Sequence, residues 1–330
     1  LAELRRHPIS NDWVVVCPEK ALGQVIESDG QCAYCPGNES LAGKEIYRIY
    51  GKGDPGGSGW SVRVVAGSPP LFHIEGRFAK EAAGICDRME AIGAHEIIVE
   101  SPSHCTEFED LDDDQAFAVL DVIRARLKDL ANDTRLGQVL VFKSRDFGVD
   151  SPASHPRWHI VSTPFVPTAI KEKLAGSRRY FAYKERCVFC DYILQERRSK
   201  TRVIVEEPTI IAMSPYAARA PFEVWILPLK HSADFQTISQ DETWHLGKVL
   251  KRLLSSLRKL HQASGYVISV YTAPYRRPKP GAWETIESDF HWHIEIRPSV
   301  NILNGLKQDG RLHLNPVPPE EAARVLTELL

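Results

Sequence analysis

The chain has 330 residues, 43% of them hydrophobic, and carries a formal charge of −2. That length and content suit one large core or two medium ones, and the lack of a basic excess makes nucleic acid a poor partner. No apolar run approaches a membrane span, and residues 1–6 lack the apolar core of a signal peptide, so a cytoplasmic protein with no membrane partner is expected. Seven cysteines, four of them in two close pairs and three scattered (Cys17, Cys86, Cys105), fit metal ligation in a reducing compartment better than a disulfide framework.

In chain order, residues 8–17 give a turn signal followed by a β-branched run, which predicts an opening strand. The first cysteine pair, Cys32-Ala33-Tyr34-Cys35, follows in a loop. Residues 51–60 are glycine-rich, but they have neither the Gly-Lys-Ser/Thr ending of a phosphate loop nor a dinucleotide fingerprint, and read as a surface loop. Strands are predicted at 61–65 and 96–99, the second running through a proline turn to His104. Phe108, Leu111 and Asp114 follow His104 at the same offsets at which Phe235, Ile238 and Asp241 follow His231. Each aspartate is expected to cap a helix, over 114–130 and 241–260, by accepting from free N–H groups in the first turn. In the first helix Phe117, Leu120, Ile123 and Leu127 recur at helical spacing and predict one face packed on a sheet. Strands are predicted after the helices, at 138–143 and 266–271. A histidine-rich strand ends each copy, at His155-Pro156-Arg157-Trp158-His159-Ile160 and at His291-Trp292-His293-Ile294.

The chain thus reads as one unit written twice. Each copy opens on a cysteine pair (Cys32/Cys35, then Cys187/Cys190), passes a lone histidine and closes on a histidine strand. A Cys-x2-Cys pair followed by two distant histidines is a tetrahedral zinc inventory. Residues 166–186 carry a helical pattern with Gly176 near its middle and read as a connector, which places the boundary near residue 170 and divides the chain into repeats 1–170 and 171–330. The basic clusters at 196–202 and 275–280 read as solvated loops, with phosphate clamping the alternative for the second. Residues 319–326, with Pro319 and two acids at their start, predict a closing helix.

Several motifs in order carry a resemblance. They are Cys32-Ala-Tyr-Cys35-Pro-Gly-Asn38, Gly93-Ala-His-Glu-Ile-Ile-Val-Glu-Ser-Pro102 with His104, His155-Pro156 with Thr163-Pro164, and Cys187-x2-Cys190-Asp191. Further on come Thr272-Ala-Pro274, Phe290-His-Trp-His-Ile-Glu-Ile296 and Asn315-Pro-Val-Pro-Pro-Glu-Glu-Ala-Ala323. Over nearly its whole length the chain resembles the galactose-1-phosphate uridylyltransferase family, the duplicated branch of the histidine-triad superfamily that includes the nucleotide-sugar phosphorylases. The resemblance implies an α+β fold in which tandem triad-like repeats share an antiparallel half-barrel sheet flanked by helices, and a homodimer. It also implies two structural zinc sites, one on Cys32, Cys35, His104 and His155, the other on Cys187, Cys190, His231 and His291. Closed four-ligand sites leave no position for water or substrate.

The chemistry departs from the family pattern. Active members read His-Pro-His-x-Gln, and the second histidine attacks the α-phosphorus of a nucleotide sugar; here that position is Arg157 and the glutamine is His159. A guanidinium has no available lone pair, so Arg157 can hold a phosphate but cannot attack one. The segment 144–152 and the run Ala66-Gly67-Ser68 also differ from the family's nucleotide-holding residues, and Lys307 stands where the family grips sugar hydroxyls with a glutamate. Lys307 and the loop Arg276-Arg277-Pro278-Lys279 therefore predict a more anionic acceptor than galactose 1-phosphate.

Three readings follow. The first is a nucleotidyltransferase or nucleotide-sugar phosphorylase, with a neighbouring histidine as nucleophile, acting on a nucleotide or nucleotide sugar and a phosphorylated small-molecule acceptor. The second is a hydrolase or lyase-like enzyme using His159 and Arg157, and the third a non-catalytic nucleotide-binding relative. If 155–160 is extended, His155, Arg157 and His159 share a face at about 6.5–7 Å spacing. Residues 157–164 align without a gap to 291–298, which pairs His159 with His293. Any covalent or general acid/base chemistry is accordingly assigned to His159, with Arg157 neutralising phosphate charge and His293 a second candidate; the alternative is that His159 replaces the family's glutamine as a hydrogen-bond donor in an inactive site.

Overall fold

Short strands, many of them rich in β-branched residues, form the sheets around which the helices pack. The structure is a computed structural model that describes residues 2–17, 32–51, 59–68, 70–76, 79–146, 155–260, 265–276, 283–299 and 312–330. The N-terminal repeat supplies β1 (Glu3–Arg6), β2 (Trp13–Val16), β3 (Glu45–Tyr50), β4 (Trp60–Ala66), β5 (Lys80–Ala83), β6 (Cys86–Glu90), β7 (Ala94–Val99), β8 (Gln138–Asp146) and β9 (Arg157–Thr163). After it come β10 (Val203–Glu206), β11 (Ile210–Met213), β12 (Val224–Pro228), β13 (Gly265–Tyr271) and β14 (His293–Pro298). The opening strand is thus β1, upstream of the 8–17 stretch, and residues 13–16 return as its hairpin partner.

Ten strands form one sheet in the order β10-β11-β12-β14-β13-β8-β9-β7-β4-β3, and β2-β1-β6-β5 form a second. The ten-stranded order is a palindrome of the duplication, with five strands from each side meeting where β8 pairs antiparallel with β13, from Gly265 opposite Asp146 to Val270 opposite Val141. The chain therefore has the α+β architecture expected of it, a large antiparallel sheet flanked by helices.

Helices α1 (Asp113–Leu130) and α4 (Gln240–Lys259) cover one face. Ala116, Val119, Leu120, Ile123 and Leu127 of α1 and Leu246, Val249, Leu250, Leu253 and Leu257 of α4 are buried against Trp158, Ile160, Trp292, Ile294 and Ile296 of the sheet. Phe117 instead turns sideways to Trp244 of α4, with centroids 6.1 Å apart. Arg126 of α1 reaches the sheet through two 2.7 Å hydrogen bonds to Glu96 of β7. The helix caps sit earlier than the offsets predicted. Asp112, not Asp114, accepts from Gln115 N, and Ser239, not Asp241, forms a capping box with Glu242. Only the residue just outside the helix has the extended backbone that aims its side chain at the N–H two or three positions on. Asp114 and Asp241 lie within the first turn, where they meet the dipole but cannot cap.

The other face is covered differently in the two halves. Over the C-terminal strands lie α2 (Thr168–Lys184), which contains the position near 170 predicted as a boundary, and α3 (Val188–Ser199), with Ile170, Leu174, Phe189 and Ile193 buried. Over the N-terminal strands lie the small sheet, through Leu4 and Met89, and Phe72 from the 70–76 segment. Leu140 of β8 packs against both groups, so the central strands lie beneath the seam.

Some cations of the basic clusters are already paired. Residues 196–199 end α3, and the buried Arg202 pairs with Glu196 at 2.6 Å and with Glu320 of the closing helix (Pro319–Leu329) at 2.7 Å. Arg276 is bidentate to Asp234 at 2.8 and 2.6 Å, and also meets Glu287, so its charge is balanced within the chain. Arg277, Pro278, Lys279, Lys307 and most of the glycine-rich loop lie outside the described residues.

Chemical denaturation of Ser239→Ala should show a loss of about 1 kcal/mol, the cost of an emptied N-cap. Asp241→Ala should lose only about 0.3–1 kcal/mol, the value of an exposed dipole contact. The reverse order would return the cap to Asp241.

Candidate metal centres and active site

Three chain segments converge on each of two Cys2His2 clusters. Cys32, Cys35, His104 and His155 form one and Cys187, Cys190, His231 and His291 the other, with the ligand atoms of each group within 4.8 Å of one another. In the first, Cys35 Sγ lies 3.4 Å from His104 Nδ1 and 3.7 Å from His155 Nδ1, and Cys32 Sγ lies 3.8 Å from His155 Nδ1. In the second, Cys190 Sγ lies 3.2 Å from His231 Nδ1 and 3.6 Å from His291 Nδ1. A tetrahedral zinc with its usual bond lengths sets sulfur and nitrogen ligands roughly 3.3–3.8 Å apart, so both donor sets fit. The tautomers fit as well. His155 Nε2–H donates to Ser101 O at 2.8 Å, His231 Nε2–H to Glu287 O at 2.8 Å and His291 Nε2–H to Pro228 O at 3.0 Å, which leaves each Nδ1 lone pair facing the cysteines.

The first cluster fixes the start of β9. Tyr34, between the two cysteines, lies under the Arg157 guanidinium, 5.4 Å from carbon to ring centroid, and Arg157 Nη1 donates to His155 O at 3.1 Å. Strand alternation then puts Trp158 and Ile160 into the helix-side core and His159 on the opposite face. His155 itself precedes the strand, and its ring belongs to the cluster rather than to the β9 face.

His159 lies between two partners. Its ring is nearly parallel to Phe142, centroids 5.1 Å apart, and its Nδ1 is 3.2 Å from Nε2 of His95 on β7. Nε2 of His159 meets no partner among the described residues. Burial, followed by the nearby Arg157 charge, lowers His159 to about 3, and burial lowers His95 to about 4. Both rings are therefore neutral near pH 7.

The matching face of β14 is closed. His293 is fully buried, 4.9 Å from Tyr271 and 4.8 Å from Phe189 between ring centroids. Its Nδ1–H donates to His291 O at 3.0 Å, and its Nε2 accepts from Lys173 Nζ of α2 at 3.1 Å, so both nitrogens are engaged. Lys173 also pairs with Glu295, which Arg219 meets at 2.5 Å. Burial alone would raise the Glu295 carboxyl, but Lys173, His293 and Arg219 together hold it at about 2.

Comparison with known proteins converges on one family. A model described as galactose-1-phosphate uridyl transferase, C-terminal domain, matches residues 173–300. The chain is 26% identical to ADP-glucose phosphorylase of Arabidopsis thaliana, over 99% of this chain and 93% of that protein. It is 27% identical to galactose-1-phosphate uridylyltransferase of Thermotoga maritima, over 99% of this chain and 98% of that one. Over nearly its whole length the chain is similar to members of the galactose-1-phosphate uridylyltransferase family. A solved uridylyltransferase shares its fold, with a TM-score of 0.82 at 21% identity over 99% of this chain and 98% of that one. A crystal structure of the Arabidopsis thaliana ADP-glucose phosphorylase with bound ADP-glucose superposes with a TM-score of 0.77 at 25% identity over the same shares.

The site residues that no motif marks are His95 and Lys173. His95 lies inside the quoted 93–102 run, and the alternation of β7 puts it on the face of Ile97, which stands opposite His159. What was lacking was the knowledge that β7 and β9 are neighbours. Lys173 gave no signal, because its partners come from β14, 120 and 122 positions away.

The two histidines of the β7/β9 pair also set a pH response. Their folded pKa values lie below the ordinary 6.5, so between about pH 6.5 and the folded values of about 4 and 3 the unfolded chain binds more protons. The stability they contribute is present above pH 6.5 and is lost as pH falls through that window. Denaturation of wild type and of a His95→Phe/His159→Phe double variant at pH 7 and pH 5 should show the smaller loss in the variant; equal losses would refute the assignment.

Proposed function

We propose that this protein is a nucleotidyltransferase that acts on a nucleotide sugar and a phosphorylated small-molecule acceptor, with the reacting phosphate held on the β9 face by Arg157 and His159. The observation that carries this reading is the pairing, on one strand face, of a cation beside the first cluster with a neutral imidazole whose Nε2 is open. Arg157 neutralises charge on the α-phosphate, and His159 makes the contact closest to the reacting oxygens. The relatives named uridylyltransferase and ADP-glucose phosphorylase, each aligned over nearly the whole chain, support this class of reaction. His293, with both nitrogens engaged, serves the packing of the second repeat.

Each repeat, 1–170 and 171–330, holds one structural zinc ion in this reading, on Cys32, Cys35, His104 and His155 and on Cys187, Cys190, His231 and His291. The metal supplies folding energy rather than a reactive site, because all four positions are filled by protein. The first cluster does further work by pinning Tyr34, and with it Arg157, at the start of β9. In this reading the protein acts as a homodimer, as the resemblance implies, and works in the cytoplasm, as expected from its composition.

Two measurements test this. Metal analysis should return two zinc equivalents per chain, and chelation or Cys32→Ser should lower the melting temperature; well under one equivalent would remove the metal assignment. With UDP-glucose or ADP-glucose as donor and a panel of phosphorylated acceptors, Arg157→Ala and His159→Ala should each lower turnover by about 10²-fold or more, with folding and zinc content intact. A His159→Ala enzyme with near wild-type turnover would overturn the site.

A further inference from the structure

The contact between His95 and His159 settles more than position. Nε2 of His95 and Nδ1 of His159 are 3.2 Å apart, and two neutral imidazoles at that distance share one proton. Either His95 donates, and His159 carries its own proton on the open Nε2, or His159 donates, and His95 carries its proton on Nδ1. The surroundings of His95 Nδ1 distinguish the two arrangements. That atom is buried without a partner, and Gly67 closes over it so tightly that a Cβ there would lie 2.2 Å away. No water fits between them. An N–H pointed at the Gly67 methylene would be an orphaned buried donor, among the rarest groups in folded proteins, whereas a bare ring nitrogen there is tolerated more easily.

We propose that His95 is a positioning residue that holds His159 in the Nε2–H tautomer, so that His159 offers the reacting phosphate a hydrogen-bond donor rather than a nucleophilic lone pair. The inference rests on the nucleotidyltransferase reading and deepens it. With Arg157 in the neighbouring position and no imidazole lone pair presented, transfer is a single in-line displacement. An anionic oxygen of the acceptor phosphate forms the new bond to the α-phosphorus. The bond from that phosphorus to the bridging oxygen breaks, and the electron pair leaves on the sugar phosphate. The acceptor enters as an anion and the sugar phosphate departs as one, so no proton has to move; His159 Nε2–H and Arg157 stabilise the charge as it shifts. His159 thereby performs the donor role of the glutamine it replaces.

The tautomer can be read without turnover, by nitrogen-15 NMR of histidine-labelled protein. His159 Nε2 should give the protonated-type signal in wild type between pH 6 and 8, and His159 Nδ1 the lone-pair type. His95→Phe keeps the ring but removes the donor and should produce a tautomer mixture. His95→Gln, whose side-chain amide reaches a similar place, should restore the wild-type signal. Protonated Nδ1 in wild-type His159, or a His95→Phe spectrum identical to wild type, would overturn the proposal. With a donor chiral at the α-phosphorus, inversion and no protein-bound label are expected; retention with an acid-labile label would also overturn it. Absence of turnover on any nucleotide sugar, with the NMR result intact, would instead sink the functional reading and leave the tautomer assignment standing.

Discussion

The antiparallel ladder between β8 and β13 is the contact on which the other arrangements depend. It joins the two repeats into one sheet, so that each histidine strand lies one strand away from the junction, β9 beyond β8 and β14 beyond β13. Because side chains alternate across a strand, this single pairing sends Trp158 and Trp292 to the helix-covered face and His159 and His293 to the other. A slip of one residue at the junction would exchange the core with the site.

The repeats are alike in packing but differ in length at the point that matters. Trp158 meets Phe108 edge to face, and Trp292 meets Phe235 in the same way, with the phenylalanines at equal offsets after His104 and His231. His155 and His291 likewise stand edge to face with His104 and His231, at 5.4 and 5.2 Å. Between cluster histidine and tryptophan the first repeat has Pro156-Arg157 and the second has nothing. Arg157 therefore belongs to a two-residue extension with no counterpart in the C-terminal half, and beyond it the strands return to register, with His159 beside Phe142 and His293 beside Tyr271.

The two faces then diverge in electrostatics. At His293 a lysine, an arginine and a glutamate come from three different elements, and the mutual satisfaction of the charges closes the face beneath α2. Among the described residues no ion pair intervenes at His159, and the polarity rests on one neutral histidine pair with a guanidinium nearby. Duplicated geometry thus yields one structural centre and one open centre, and the difference lies in what covers the sheet: a helix carrying Lys173 on one side, the small four-stranded sheet on the other.

The sequence by itself determined the duplication, the two ligand quartets and the main strands and helices, because those features rest on residue identity and on periodicity along the chain. Cys32-x2-Cys35 and Cys187-x2-Cys190 are local, and the helical spacing of Leu120, Ile123 and Leu127 is local too. Cap positions were misread by two residues, at Asp114 for Asp112 and Asp241 for Ser239, because a run of acids satisfies the dipole at several places and only backbone geometry chooses the cap. Tertiary structure alone decided that Arg276 and Arg202 are already paired, that Lys173 closes over His293, and that His95 stands against His159. Each of these joins residues distant in the chain or carried on different strands or helices. A hydrogen bond between such residues leaves no periodic trace in either segment, so it becomes visible only when the order of strands in the sheet is known.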